Sequence, residues 1–155
     1  MRVGFGYDSH VFEAGKPLVL GGVTIPGSDG LKAHSDGDAV IHALIDALLG
    51  AAALGDIGSH FPDTDERYRG ADSSKLLEKV AGEVRAAGYA ICNIDITVIC
   101  ERPRLREHVN GIRCNLARLT GLDAGCVSVK GKTNEKMDDV GAGKGIEVHA
   151  AILLS

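Results

Sequence analysis

Val3-Gly4-Phe5-Gly6-Tyr7-Asp8-Ser9-His10 is the stretch from which the rest of the chain is read. Val3 to Tyr7 reads as a first strand, with Asp8 and His10 two residues apart at its end. At that spacing two side chains leave the same side of an extended backbone. A third good metal ligand, His42, follows the run His34-Ser35-Asp36-Gly37-Asp38 and must be brought in by the fold. A carboxylate plus two imidazoles, with a fourth position open, is the ligand set of a catalytic zinc rather than a closed structural one. Read alone, His42 is a core histidine on a buried helix, and a D-x-H triplet arises often by chance. The surrounding motifs have to decide between the two readings.

Outward from that strand, Leu18 to Ile25 reads as short strands and turns, interrupted by Gly21-Gly22 and closed by Pro26-Gly27. Ser35-x-x-Asp38 has the form of a helix-start box and makes Ser35 the expected N-cap. The run Ala39 to Leu49 then reads as a helix, ended with the help of Gly50. It is apolar almost all round, as a buried helix is. Gly55 to Arg69, dense in Gly, Pro, Asp and Ser, reads as a long loop of the kind that carries function. Asp72 or Ser73 caps a second helix, with Leu76, Leu77, Val80 and Val84 as its buried stripe and Gly88 at its stop. Ile94, Ile96 and Val98 alternate with Asp95 and Thr97, the pattern of a half-buried strand. A third helix is expected from near Pro103, carried by Leu105, Val109, Ile112, Leu116 and Leu119 and ended by Gly121. Val127 to Lys130 reads as a short strand, and Ile146, Val148, Ala150, Ile152 and Leu154 alternate to the end. The expected fold is α+β, a two-layer sandwich with one mixed sheet and helices on one face.

Composition narrows the function. A length of 155 residues fits one domain, residues 1–155. Hydrophobic residues are 45% and aromatics only 4%, with no Trp, so the core must be aliphatic. The net charge of −4 excludes the basic excess of a general nucleic-acid binder. Cys92, Cys100, Cys114 and Cys126 form no C-x-x-C pair, which argues against a cysteine zinc site and for reduced, partly buried thiols. No apolar run approaches membrane-spanning length, and no signal peptide is read ahead of Val3. The expectation is a cytoplasmic protein, or a plastid one whose transit peptide has been removed.

Four motifs in order carry a family resemblance. They are Gly4-Phe5-Gly6-Tyr7-Asp8-Ser9-His10; Ala33-His34-Ser35-Asp36-Gly37-Asp38; Gly55-Asp56-Ile57-Gly58 with His60-Phe61-Pro62-Asp63-Thr64-Asp65; and Lys132-Thr133-Asn134-Glu135-Lys136. From Arg2 to the C-terminus the chain resembles the 2-C-methyl-D-erythritol 2,4-cyclodiphosphate synthase family of the non-mevalonate isoprenoid route. The resemblance implies a homotrimer with active sites between subunits. It makes Asp8, His10 and His42 the ligands of zinc or another divalent transition metal. Asp38 and Asp46, four residues either side of His42, are candidates to accept its second ring N–H. The resemblance also implies substrate contacts for Asp8, Ser9 and His10. His34-Ser35 becomes a substrate loop, with His34 supporting the transition state. Asp56-Ile57-Gly58 and Phe61, Pro62, Asp63, Thr64 and Asp65 hold the methylerythritol phosphate portion. Cys100, Pro103, Arg104, Leu105 and Arg106 form the cytidine segment. Lys132, Thr133, Asn134 and Glu135 face phosphate, with Thr133 catalytic and Glu135 binding magnesium or manganese through a hard oxygen ligand.

The implied reaction is an intramolecular phosphoryl transfer on a small-molecule cytidine diphosphate substrate. The 2-phosphate attacks the β-phosphorus of its own diphosphate, CMP leaves, and a ring forms. The nucleophile is already an anion, so no general base is required, and positioning plus charge neutralisation carry the rate. Two rival readings share the ligands: a metal-dependent phosphohydrolase giving a linear product, and a trimeric nucleotide-binding module that turns nothing over. The chain also departs from the family. Where many bacterial members carry Phe and Arg lining a central trimer cavity that holds an isoprenoid diphosphate, this chain has Asp139 and Ala142, with Lys144 nearby. The expectation is a cavity that rejects that ligand.

Overall fold

The computed structural model describes residues 1–155. Strands β1 (Arg2–Leu20), β2 (Val23–Leu31), β3 (Ile91–Ile99), β4 (Val127–Lys132) and β5 (Gly145–Leu154) form one sheet in the order β2-β1-β5-β3-β4. Helices α1 (Ala39–Ala52), α2 (Ile57–His60), α3 (Ser73–Ala86), α4 (Val109–Thr120) and α5 (Asp138–Gly141) lie between the strands in sequence. β3 and β4 run parallel, which requires a crossover, and α4 supplies it. The other pairings are antiparallel, so the sheet is mixed and the class α+β.

β1 is longer than its sequence suggests because it serves two neighbours. Arg2 to Val11 pair with β5, and Phe12 to Leu20 pair with β2, with register shifts between Glu13 and Leu18. The alternation read for β3 and β5 holds: Ile94, Ile96 and Val98, like Val148, Ala150 and Ile152, are buried. On β1 the opposite parity faces out, leaving Val3, Phe5, Tyr7 and Val11 exposed.

α1 is the centre of the core. Ala39, Val40, Ile41, Ala43, Leu44, Ile45, Ala47, Leu48 and Leu49 are all buried, and only His42 and Asp46, one turn apart on one face, are half-buried over this run. It lies directly on β1. A Cβ added to Gly4 would stand 1.9 Å from the Ala47 carbonyl oxygen, and one added to Gly6 1.9 Å from that of Ala43. Only glycine permits so close a backbone approach. Gly4, Gly6, Asp8 and His10 share one face of β1, so this contact also sets the height of the two ligands over α1.

Three boundaries differ from the sequence reading. The N-cap of α1 is Asp38, not Ser35, and its carboxylate accepts from Ile41 N–H. Gly37, at φ +77°, breaks the helical path between the two. α1 continues through Gly50 to Ala52, where burial of Ala51 and Ala52 outweighs the helix cost of glycine, roughly 1 kcal/mol. α4 starts at Val109 rather than near Pro103. Before it there is only one turn, in which the Leu105 carbonyl accepts from His108 and Val109 N–H. The expected long loop also contains α2, capped by Asp56, and a short 3₁₀ turn at Glu66–Tyr68, capped by Asp65.

Candidate active site

Asp8, His10 and His42 converge. Asp8 Oδ2 lies 3.0 Å from His10 Nε2 and 3.1 Å from His42 Nδ1, and the three ligand atoms all fall within 4.8 Å of one another. The Lys32 carbonyl oxygen is 2.9 Å from His10 Nδ1. A carbonyl only accepts, so Nδ1 carries the proton, and in the neutral ring Nε2 presents a lone pair. That Nε2 is buried and, although close to Asp8, out of line for a hydrogen bond. An acceptor left facing a carboxylate inside a protein is costly unless a cation lies between them. The cluster therefore fits a divalent metal bound by one carboxylate and two imidazoles. Burial pushes the Asp8 carboxyl up, but His10 and His42 outweigh it and hold it below its ordinary value. The Asp8 carboxylate in turn raises His10, against the effect of burial.

The far side of His42 differs from expectation. Neither Asp38 nor Asp46 reaches its second nitrogen. The Asp38 carboxylate is occupied by Gly21, Gly22 and Ile41 N–H, tying the β1–β2 turn to the start of α1. Burial pushes it up to about 6 against those bonds. Asp46 accepts from Ile57 N–H at 2.8 Å and so anchors α2. His42 Nε2 faces Ser73 Oγ at 3.0 Å and Ser35 Oγ at 3.2 Å. Ser73 opens α3, thirty-one residues away in sequence, and no local pattern marks it as a partner of His42.

Around the cluster lies a cleft of 440 Å³ lined by His10, His34, Ser35, His42, Ile57, Gly58, Phe61, Pro62 and Asp63, with Ala33, Tyr68 and Leu76. It brings together three motifs that the sequence only ordered. Asp56, Thr64 and Asp65 are not in its wall. Asp56 is spent capping α2, where Ser59 holds its carboxyl low, and Asp65 grips Arg67, with Nη2 at 2.6 Å from Oδ2.

A second cleft, of 630 Å³, is lined by Cys100, Glu101, Pro103, Arg104, Leu105, Arg106, Val109, Gly131, Lys132 and Thr133. It shares no residue with the first. Thr133 donates to Glu135 Oε1 at 2.8 Å, and Glu135 sits at φ +51° on an exposed turn. Glu101, unassigned in the sequence reading, accepts from Asn134 and Lys136 N–H and ties that turn to the Cys100–Arg106 segment. Within one chain, then, the cleft beside Asp8, His10 and His42 and the cleft beside Arg104 and Thr133 are separate surfaces.

The whole chain, residues 1–155, matches the profile of the YgbB family. The chain belongs to the YgbB family. Among relatives of this YgbB chain are two proteins named 2-C-methyl-D-erythritol 2,4-cyclodiphosphate synthase, from Brachyspira hyodysenteriae and Chromobacterium violaceum. Each is 54% identical over 154 residues, covering 99% of this chain and 98% of the relative. Among solved structures, the bifunctional IspDF protein of Campylobacter jejuni superposes with TM-score 0.95 at 42% identity, over 99% of this chain and 42% of that one. A 2C-methyl-D-erythritol-2,4-cyclodiphosphate synthase in its CDP-bound form superposes with TM-score 0.91 at 41% identity, over 99% and 100%. The IspF–CDP complex of Plasmodium falciparum gives 0.85 at 37%, over 99% and 94%.

Proposed function

We propose that this YgbB-family protein converts 4-diphosphocytidyl-2-C-methyl-D-erythritol 2-phosphate into 2-C-methyl-D-erythritol 2,4-cyclodiphosphate and CMP. It is a phosphorus–oxygen lyase of isoprenoid biosynthesis, with residues 1–155 acting as one synthase domain. The observation that carries this reading is the convergence of Asp8, His10 and His42 beside His34-Ser35, in a chain 54% identical end to end to named synthases.

In the reaction a 2-phosphate oxygen forms a new bond to the β-phosphorus. The bond from that phosphorus to the bridging oxygen breaks, and CMP leaves with the electron pair. The cleft beside the cluster holds the methylerythritol phosphate portion against Ile57, Gly58, Phe61, Pro62 and Asp63, and His34 and Ser35 face the attacked phosphate. Lys132 and Thr133 meet the diphosphate from the other cleft, where Thr133 donates a hydrogen bond that strengthens as charge builds. Cys100, Pro103, Arg104, Leu105 and Arg106 take the cytidine. Asp8, His10 and His42 would hold zinc or a similar ion and Glu135 magnesium or manganese, and these would supply Lewis-acid charge neutralisation to the diphosphate. Asp56, Thr64, Asp65, Ser9 and Asn134 shape the loops around these contacts.

One substrate must touch both clefts, and one chain keeps them apart. We therefore read the site as intersubunit in a homotrimer. The sheet face carrying Val3, Phe5, Tyr7 and Val11, exposed by 76, 64, 45 and 55%, supplies an apolar surface for the other copies to cover. That leaves a two-layer protomer with helices on the other face. No helix is long and apolar enough to cross a membrane, and the cytoplasm is the proposed compartment. Purified protein incubated with substrate and magnesium, followed by phosphorus NMR, tests the reading. CMP with a cyclic diphosphate supports it. A linear product identifies a phosphohydrolase, and binding without turnover identifies a nucleotide-binding module.

A further inference from the structure

We infer that Ser73, with Asp36 behind it, is a positioning residue that decides which nitrogen of His42 carries the proton and so leaves the Nδ1 lone pair toward Asp8. The inference rests on the reading of Asp8, His10 and His42 as a metal seat. Ser73 is fully buried at the first turn of α3. Asp36 holds it twice: Oδ2 accepts from Ser73 N–H at 2.9 Å, and Oδ1 accepts from the Ser73 hydroxyl. A carboxylate can only accept, and a hydroxyl has one proton to give. With that proton committed to Asp36, Ser73 Oγ turns a lone pair toward His42 Nε2, 3.0 Å away. Toward Ser73, Nε2 can then act only as the donor.

A neutral imidazole carries one N–H, so Nδ1 is left with its lone pair, 3.1 Å from Asp8 Oδ2. Ser35 Oγ, at 3.2 Å from the same Nε2 and itself accepting from Gly37 N–H at 3.3 Å, is the looser of the two neighbours. His10 reaches the complementary state by a different device, the Lys32 carbonyl on Nδ1. The two rings thus use opposite nitrogens toward one carboxylate, and each choice is enforced from behind. Partners of this kind fix ring orientation and tautomer in metal sites, and losing one costs roughly 10- to 100-fold in metal affinity.

The rival account is that Ser73 only ties the Asp36 loop to α3. Three readouts separate them: the His42 tautomer from long-range ¹H–¹⁵N spectra of histidine-labelled protein at alkaline pH, zinc affinity by chelator competition, and the melting midpoint without added metal. Wild type is expected to show His42 protonated at Nε2. Ser73→Ala should mix the tautomers and weaken zinc binding by roughly 10- to 100-fold, and Ser73→Thr should restore both. Asp36→Asn, which can donate to the Ser73 hydroxyl and free its proton for Nε2, should favour the Nδ1–H form. It also tests the inference if Ser73→Ala does not fold. An unchanged tautomer and unchanged zinc affinity in Ser73→Ala overturn the inference, as does a tautomer unchanged while affinity falls only in step with the melting midpoint. If the wild type shows the Nε2–H form but binds no zinc, the metal-seat reading fails and the positioning role of Ser73 stands.

Discussion

Gly6→Ala is the smallest change that should separate the two walls of the metal cluster. The new Cβ would stand 1.9 Å from the Ala43 carbonyl oxygen. Carbon and carbonyl oxygen ordinarily meet no closer than about 3.3 Å, so β1 and α1 must part by about 1.4 Å. The obstacle is backbone, which cannot rotate away. Overpacking of a tight core costs about 1–3 kcal/mol, and a backbone collision belongs at the upper end. For a chain of this length about 3 kcal/mol lowers the melting midpoint by roughly 6–12 °C. Alanine is intrinsically better than glycine in a strand by roughly 0.5–1 kcal/mol, so the propensity effect has the opposite sign and is too small to hide the collision. Asp8 and His10 ride on the same strand face as Gly6, and His42 stays with α1. A shift near 1 Å between catalytic groups can cost roughly 100-fold in rate. The assays are thermal unfolding at fixed protein concentration and turnover under saturating metal. Adding Ala43→Gly should give no rescue, because the clashing oxygen remains. A Gly6→Ala protein with wild-type midpoint and rate, or a double variant that recovers, would refute the close-approach argument.

Other outcomes follow from the same geometry. Glu135→Gln keeps shape but removes charge, so turnover should demand more magnesium while bound zinc stays constant; an identical magnesium dependence would remove Glu135 as a ligand. Burial pushes the Cys100 thiol up to about 11, which keeps it protonated at neutral pH, so iodoacetamide should modify exposed Cys114 well before Cys100. Equal rates, read by peptide mass spectrometry, would contradict that placement. Lys144 is paired with Asp139, its Nζ 2.7 Å from Oδ1, so the Asp139 carboxylate offsets its charge toward a diphosphate. Calorimetric titration with geranyl diphosphate should show no saturable binding, and one site per trimer would prove the expectation wrong.

Much of the fold could be read because its signals are local. The alternation of Ile94, Ile96 and Val98, and of Ile146 to Leu154, depends only on which parity faces the core. The all-round apolarity of α1 likewise follows from its enclosure. Three features were not legible because their causes lie far away in sequence. Asp38 displaced Ser35 as a cap since it also serves the Gly21-Gly22 turn. The double pairing of β1 depends on where β5 lies. Ser73 meets His42 only through packing of α3 against α1. At the site, the convergence of Asp8, His10 and His42 could be read from spacing and resemblance together. The separation of the two clefts within one chain could not be read from the motifs themselves, since their linear order does not say which of them share a wall.

β1 pairs with β5 from Arg2 to Val11 and with β2 from Phe12 to Leu20, so each half is paired along one edge, and α1 covers the inner face of the half that carries Asp8 and His10. Amides paired in a ladder and covered by a helix open less readily than those of an exposed turn, so Asp8 and His10 should exchange slowly. The turn carrying Glu135, Lys136 and Asp138 is exposed, has three residues at positive φ, and hangs largely on Glu101. It should exchange within the fastest class. The protein would then keep the Asp8–His10–His42 cluster at the stiffness of a covered strand and the Glu135 turn at the stiffness of a surface loop. Heating would loosen the Glu135 turn before the Asp8–His10–His42 cluster gives way.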